Sequence, residues 1–275
     1  MLCGRAALAG AGAACVDAML AVSFWSRISR GHMKKTAVIT GGNGGIGQAI
    51  ADNLSHDHTI ILHCFGSIDH LGGWIDEVHA RGGEIIQVDA ELSGETGCKK
   101  FCEEVVNNID DRIDVLVNSA GGIIQAHNSG SLTWEIMERH FNLNALAPMF
   151  VTGLLVPYLQ KGRDPSVINI TSGAIRNGSI TAPAYGAAKG AIDVFTRGLA
   201  NELAPKVRVN AIAPGVIKTR FYDNVAPDVL VSLEGKTPLK KLGTPDDVAR
   251  TVRYLVETTY LTGVTIDLNG GLYMR

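Results

Sequence analysis

From Met33 onward the chain alternates short Val- and Ile-rich runs with segments of helical length, and few folds accept that order. Residues 36–40, 59–65, 84–88, 113–117, 167–170, 207–212 and 264–268 read as strands buried on both faces, being short, apolar and β-branched. Stretches long enough for helices lie between them, at 45–54, 97–109, 131–158 and 185–203. Pro157 and Pro205 fall near the ends of the last two, where a proline is tolerated or stops a helix. Strand–helix–strand repetition imposes right-handed crossovers. The expected fold is therefore α/β, a doubly wound parallel sheet of about seven strands with helices on both faces. No linker, composition break or internal repeat divides the chain after Met33, so 33–275 reads as a single domain.

Composition narrows the function classes. Apolar residues make up 46% and charged residues 19%, which supplies a core and argues against disorder. The formal net charge of -2 gives no electrostatic reason to expect a nucleic acid or an anionic membrane as partner. Cys3, Cys15, Cys64, Cys98 and Cys102 form neither a Cys-x-x-Cys pair nor a zinc-spaced cluster, and read as reduced thiols of a cytoplasmic protein. The histidines show no His-Glu-x-x-His, and no metal is expected. Residues 1–32 stand apart. An apolar run at 6–25 is interrupted by Asp17 and is marginal for a bilayer span. Arginines with little acid also fit a transit peptide, while Gly31-His32-Met33 fits a start codon at Met33. We read 1–32 as a leader or extension outside the fold.

The first strand runs into Thr40-Gly41-Gly42-Asn43-Gly44-Gly45-Ile46-Gly47, and a helix follows. Glycine permits a tight turn here, close approach of the backbone to a pyrophosphate, and close packing of helix on strand. The helix N-terminus adds free N–H groups and the positive end of its dipole. Gly42-x-Gly44-x-x-Gly47 and Gly41-x-x-x-Gly45-x-Gly47 both fit, and the strand–turn–helix setting makes dinucleotide binding the expected role of either. An acid at the end of the second strand would bind the adenosine ribose and select NAD. Leu62-His63-Cys64-Phe65-Gly66-Ser67 offers no carboxylate before Asp69. Neither Asn43 nor this strand end supplies an arginine for a 2′-phosphate. The missing acid favours NADP slightly over NAD, with Ser67 and His63 near the phosphate.

Tyr185-Gly186-Ala187-Ala188-Lys189 opens an alanine-rich segment, and the i, i+4 spacing sets Tyr185 and Lys189 on one helical face. A free phenol has a pKa of about 10 and stays protonated near neutrality. A lysine ammonium or an oxidised nicotinamide beside it favours the phenolate and lowers that value. Tyr185 can then exchange a proton while hydride moves. Taken alone, Tyr-x-x-x-Lys also describes an ordinary surface pair. Three strand ends add to it: Ser172 closes the fifth, Asn118-Ser119-Ala120-Gly121 the fourth, and Pro214-Gly215-Val216-Ile217-Lys218-Thr219 the sixth. All fall on the edge where open α/β sheets place ligands.

On these residues the chain resembles the classical short-chain dehydrogenase/reductase family from Lys35 to Gly271, including Leu242-Gly243-Thr244-Pro245-Asp246-Asp247-Val248 and Asn269-Gly270-Gly271. It looks most similar to the 3-oxoacyl-carrier-protein-reductase-like members. The resemblance implies a single-domain Rossmann fold and an NAD(P)-dependent oxidoreductase acting on a carbonyl or secondary alcohol. Tyr185 would be the general acid/base, Lys189 its charge partner and the holder of the nicotinamide ribose, and Ser172 a hydrogen-bond partner of the substrate oxygen. Asn144 matches the asparagine that holds a relay water; an ordinary helix-interior asparagine and the Asn142 register are the alternatives. On the cofactor side the resemblance implies Gly41, Asn43, Gly45, Ile46 and Gly47 at the phosphates, and Asp89 with Ala90 by the adenine. It further implies Asn118 supporting the strands, Ala120 and Gly121 near the adenosine ribose, and Thr219 at the carboxamide beside Pro214, Gly215 and Ile217. Ser119 departs from the family's usual second asparagine, with little expected consequence.

Residues 218–238 are long for a connection and read as a lid. Phe221 and Tyr222 would wall a pocket opposite Gly122-Ile123-Ile124, and Arg220 would meet a carboxylate or phosphate, or remain a solvated loop charge. Small residues around Tyr185 allow close helix packing, either in the core or across a symmetric interface. The resemblance implies the interface, in a homo-oligomer, most simply a tetramer. The expected partner is a small carbonyl or alcohol substrate. The rival reading is a catalytically idle dinucleotide-binding or scaffold protein on the same fold.

Overall fold

The computed structural model describes residues 34–66, 70–179, 181–223 and 225–274. Residues 1–33, with Cys3 and Cys15, lie outside the described residues, as do Ser67, Asp69 and the side chain of Phe221. From Lys35 the chain forms one unit. Its first half alternates β1 (Lys35–Ile39), α1 (Gly45–Leu54), β2 (His58–Cys64), α2 (Gly72–Ala80), β3 (Glu84–Asp89), α3 (Glu95–Asn107) and β4 (Val115–Asn118). The second half runs α4 (Trp134–Phe141), a π-turn (Asn142–Leu146), α5 (Ala147–Leu159), β5 (Ser166–Ile170), the short α6 (Ala174–Asn177), α7 (Pro183–Leu203) and β6 (Arg208–Pro214). A 3-10 turn (Arg220–Tyr222), α8 (Pro227–Lys236), α9 (Pro245–Glu257) and β7 (Thr265–Leu268) complete it.

All seven strands pair in parallel in the order β3-β2-β1-β4-β5-β6-β7. The strand order reverses at β1, whose neighbours β2 and β4 leave it in opposite directions, and a crevice opens there at the carboxyl ends. Side chains alternate across the sheet with period two. Ala37, Ile39, Ile60 and Leu62 pack with Ile50 and Leu54 of α1 and Val252 and Leu255 of α9. Val38, Ile61, Leu116 and Val167 face the other layer, with Phe101 of α3, Leu155 of α5 and Leu203 of α7. Burying each of these Val, Leu, Ile and Phe side chains contributes about 1.5–3 kcal/mol. Both faces are covered, which is why the strands read as continuous apolar runs.

Three departures from the sequence reading have local causes. The helix expected over 131–158 is two helices separated by the π-turn. Pro148 lacks the N–H that would bond the carbonyl four residues back, that of Asn144, so a regular helix cannot run through this point. The 218–238 connection is largely structured, holding the 3-10 turn and α8. Finally, α9 is not among the helical stretches read from the sequence; it opens on a capping box in which Thr244 Oγ1 accepts from Asp247 N–H and Asp247 Oδ2 accepts from Thr244 N–H.

Candidate active site

The glycine turn sits where the strand order reverses. Thr40 N–H donates to Val117 O at 3.0 Å, and Thr40 Oγ1 accepts the N–H groups of Ser119 and Ala120, both at 3.0 Å. The carboxyl ends of β1 and β4 are thereby fastened together. Gly41 has φ +76°, and a Cβ there would lie 2.8 Å from Ala120 Cα. A Cβ at Gly47 would meet Gly41 O at 2.2 Å. Gly42, by contrast, would press only on the side chain of Leu62. These contacts favour the Gly41-x-x-x-Gly45-x-Gly47 register. The N–H groups of Gly45, Ile46 and Gly47 precede the first intrahelical bond, from Gln48 N–H to Gly44 O, and α1 carries no acidic residue in its first turn. That helix end suits an anion.

His63 is not directed at a phosphate, contrary to the sequence reading. Its ring is turned inward, Nδ1 accepting from Gly41 N–H at 3.1 Å and Nε2 bonding Ala90 O at 2.8 Å, with an edge contact to Phe101. Burial lowers its pKa against the pull of Ala90 O and Asp89, so the ring is neutral and carries its proton on Nε2. It ties the glycine turn to the end of β3, where Asp89 is exposed and Ala90 buried. Asn43 Nδ2 donates to Phe65 O at 2.7 Å, closing the turn onto the end of β2. Arg220 is no free loop charge: its Nη2 donates to Asn43 O, across the mouth of the turn.

Thr219 stands beside Gly45, its Cγ2 3.4 Å from where a Cβ would be. Pro214 O accepts from Gly173 N–H, Gly215 N–H donates to Leu268 O, and buried Ile217 bridges to Gly243. Asn118 Nδ2 reaches Thr152 Oγ1 and Asn169 Oδ1, and Asn169 Nδ2 reaches Thr196 Oγ1, a buried polar row beneath β4 and β5. Sequence reasoning gave Thr40 no role of its own, and it took Gly122 for a pocket wall without foreseeing its bonds to Asn144. A threonine immediately before the glycine run was the available signal for the first.

Tyr185 and Lys189 lie one turn apart at the start of α7. Lys189 is buried, and its Nζ donates to Ile170 O at 2.9 Å. Asn144 Oδ1 accepts from Gly122 N–H at 2.8 Å, and its Nδ2 donates to Gly122 O and His140 O. The side chain is thus committed to protein, and a water at Asn144 would fall to its main-chain carbonyl. Gly121 lies between the two: a Cβ there would stand 2.6 Å from Asn144 Oδ1 and 3.0 Å from Lys189 Nζ. Asn142 instead lines an apolar groove with Leu92, Leu146 and Phe150. Burial raises the Tyr185 pKa, a hydrogen bond with Ser172 lowers it, and nearby Tyr222 raises it. This corrects the expectation of a lysine-lowered phenol for the chain by itself. Ser172 Oγ also accepts from Ala174 N–H.

Burial pulls the Lys189 ammonium down to about 8 from its ordinary 10.5. Between those values the unfolded chain binds more protons than the folded one, so this group makes stability rise with pH across the window. Below it the folded protein bears the full cost of the buried charge. Lys189→Met should therefore stabilise most below pH 8, and its advantage should shrink toward pH 10.5. Urea unfolding of both proteins across this range checks the sign; a constant difference contradicts it.

Among the described residues no group of three or more His, Cys, Asp or Glu could hold a metal ion. A model of the short chain dehydrogenase family matches residues 35–229. The 3-oxoacyl-[acyl-carrier-protein] reductase FabG of Staphylococcus epidermidis is 30% identical over 250 residues, covering 88% of this chain and 100% of its own. The solved complex of Pseudomonas aeruginosa RhlG with NADP is 28% identical with TM-score 0.80, covering 87% of this chain and 96% of the other. The NADH-dependent reductase A1-R′ of alginate metabolism is 25% identical with TM-score 0.79, covering 88% and 98%.

Proposed function

The chain belongs to the short chain dehydrogenase family, and we propose that Tyr185, Ser172, Lys189 and Asn144 carry its chemistry. The protein is an NAD(P)-dependent oxidoreductase that moves a hydride between a nicotinamide and a carbonyl or secondary alcohol. The observation that carries our residue assignment is the close approach of Asn144 and Lys189 on either side of Gly121, with Tyr185 one turn before that lysine on α7 and near Ser172.

The dinucleotide, when bound, supplies or accepts the hydride. The chain's own groups fit it: Gly41 permits a close backbone approach, and the N–H groups of Gly45, Ile46 and Gly47 would hold the phosphates, with Asn43 shaping the turn. Asn118, Ala120 and Gly121 would flank the dinucleotide from the end of β4, Asp89 and Ala90 from the end of β3, and Pro214, Gly215, Ile217 and Thr219 from the end of β6. In reduction, Tyr185 Oη gives its proton to the substrate oxygen while Ser172 Oγ holds that oxygen in place. Charge on Lys189 favours the resulting phenolate. Asn144 holds the loop through Gly122 and offers its carbonyl to a relay water. In oxidation the same groups act in reverse.

The second strand ends in Cys64-Phe65-Gly66 without a carboxylate, which supports NADP over NAD. Neither the glycine turn nor residues 62–67 supply an arginine for a 2′-phosphate, so the preference is expected to be under about tenfold, or 1.4 kcal/mol. Parallel fluorescence titrations with NADPH and NADH test it, and tighter NADH binding overturns it. We read residues 33–275 as the catalytic domain of a cytoplasmic homotetramer, with 1–32 outside it. Exposed Leu146 and Phe150 on the α5 side and Val194 on α7 support association. A panel of ketones, acyl thioesters and sugars, followed at the nicotinamide absorbance, identifies the substrate class. Absence of turnover with every carbonyl would favour the idle-scaffold alternative.

A further inference from the structure

α7 begins without an ordinary cap. Ala182 offers no side-chain acceptor, Pro183 has no N–H, and the first intrahelical bond is from Gly186 N–H to Ala182 O. The N–H of Ala184, immediately before Tyr185, needs a partner from elsewhere because Ala184 is buried. His127, 57 residues earlier, supplies it: Nε2 accepts from Ala184 N–H at 3.2 Å. His127 N–H also donates to Thr181 O at 2.8 Å, so the same residue holds the approach to the helix.

The ring is itself held. With Nε2 accepting, Nδ1 carries the proton and donates to Gln125 O at 3.0 Å. The same carbonyl receives Nε2 of His140 at 3.1 Å. His140 is fully buried, its ring centroid is 5.2 Å from that of His127, and it meets the Tyr185 ring edge-on at 6.4 Å. Its main-chain carbonyl accepts from Asn144 Nδ2. One carbonyl and two imidazoles of fixed tautomer therefore connect the loop after β4 to both Tyr185 and Asn144.

We propose that His127 is a positioning residue for hydride transfer, its Nε2 capping α7 at Ala184 and so fixing the place of the Tyr185 phenol. The proposal rests on Tyr185 being the acid/base. His127 touches neither substrate nor cofactor in this role. It acts by preventing the first turn of α7 from fraying or shifting, and a displacement of about 1 Å at the proton donor costs about a hundredfold in rate.

Two polar replacements separate the functions of the ring. In His127→Gln the side-chain Oε1 can still accept from Ala184 N–H. In His127→Asn the shorter amide keeps a donor near the Nδ1 position and loses the distal acceptor. We expect His127→Asn to lower kcat by about 10- to 100-fold, with KM for the carbonyl and the NADPH dissociation constant within about twofold of wild type. We expect His127→Gln to recover most of the rate. Equal kcat in the two variants, or a loss appearing in KM or NADPH binding instead, overturns the proposal. If His127→Asn fails to fold, His127→Gln alone decides: near-wild-type kcat supports capping, and a hundredfold loss sinks it. Tyr185→Phe is measured alongside. Turnover surviving that change defeats the acid/base assignment itself, whereas an inactive Tyr185→Phe beside an unaffected His127→Asn defeats only the positioning role.

Discussion

Tyr185→Phe should lose about 10²- to 10⁴-fold in kcat/KM for every carbonyl the enzyme accepts, the range a positioned general acid usually supplies. The replacement ring fills the same space and keeps its edge contact with His140. What disappears is the phenolic hydroxyl, which carries the transferable proton and feels the nearby Ser172. NADPH binding should stay within about twofold, and stability should change by no more than about 1 kcal/mol, the net worth of one hydroxyl hydrogen bond. Steady-state kinetics, cofactor titration and urea unfolding together make the test. Undiminished turnover would remove Tyr185 from the mechanism.

Gly121→Ala should be nearly as damaging, by a different route. At φ +144° a side chain is strained by about 1–3 kcal/mol. Its methyl would stand 2.6 Å from Asn144 Oδ1, far inside contact, and 3.0 Å from Lys189 Nζ. Asn144 must then yield, breaking its bonds with Gly122, and the lysine shifts with it. A loss of about a hundredfold in kcat with a lowered melting temperature is expected. Gly122→Ala is the control, since a Cβ there meets nothing within 4 Å. If the two variants behave alike, the close packing at Gly121 is not what organises the site.

Much of this was legible before any coordinates. Short runs of Val and Ile located all seven strands because a sheet covered on both faces leaves no polar alternation to confuse with a helix. Ser172 and Tyr185 were brought together by strand ends and helix starts, features with local signatures. α2 was not found: it opens on Gly72-Gly73 and buries only Val78, so its periodicity is faint. α8 buries nothing among its described residues and has no apolar face to read. The inward turn of His63 and the two hydrogen bonds accepted by Thr40 depend on partners 22 and 79–80 residues away. No local pattern records such pairings. The missing carboxylate of β2 was visible in the sequence, but its meaning for cofactor choice depends on Ser67, which lies outside the described residues.

The bonds that join the strand ends carry a consequence for recognition. Thr40 links β1 to β4, His63 links the glycine turn to β3, and Asn43 links it to β2. Four strand termini are stitched into one floor by the chain itself. A floor already ordered loses little conformational entropy when a dinucleotide settles on it, so most contact energy remains available as affinity. From the opposite wall Arg220 adds one further bond to this floor, to Asn43 O. The bed itself should accordingly keep its geometry whether or not a dinucleotide rests on it.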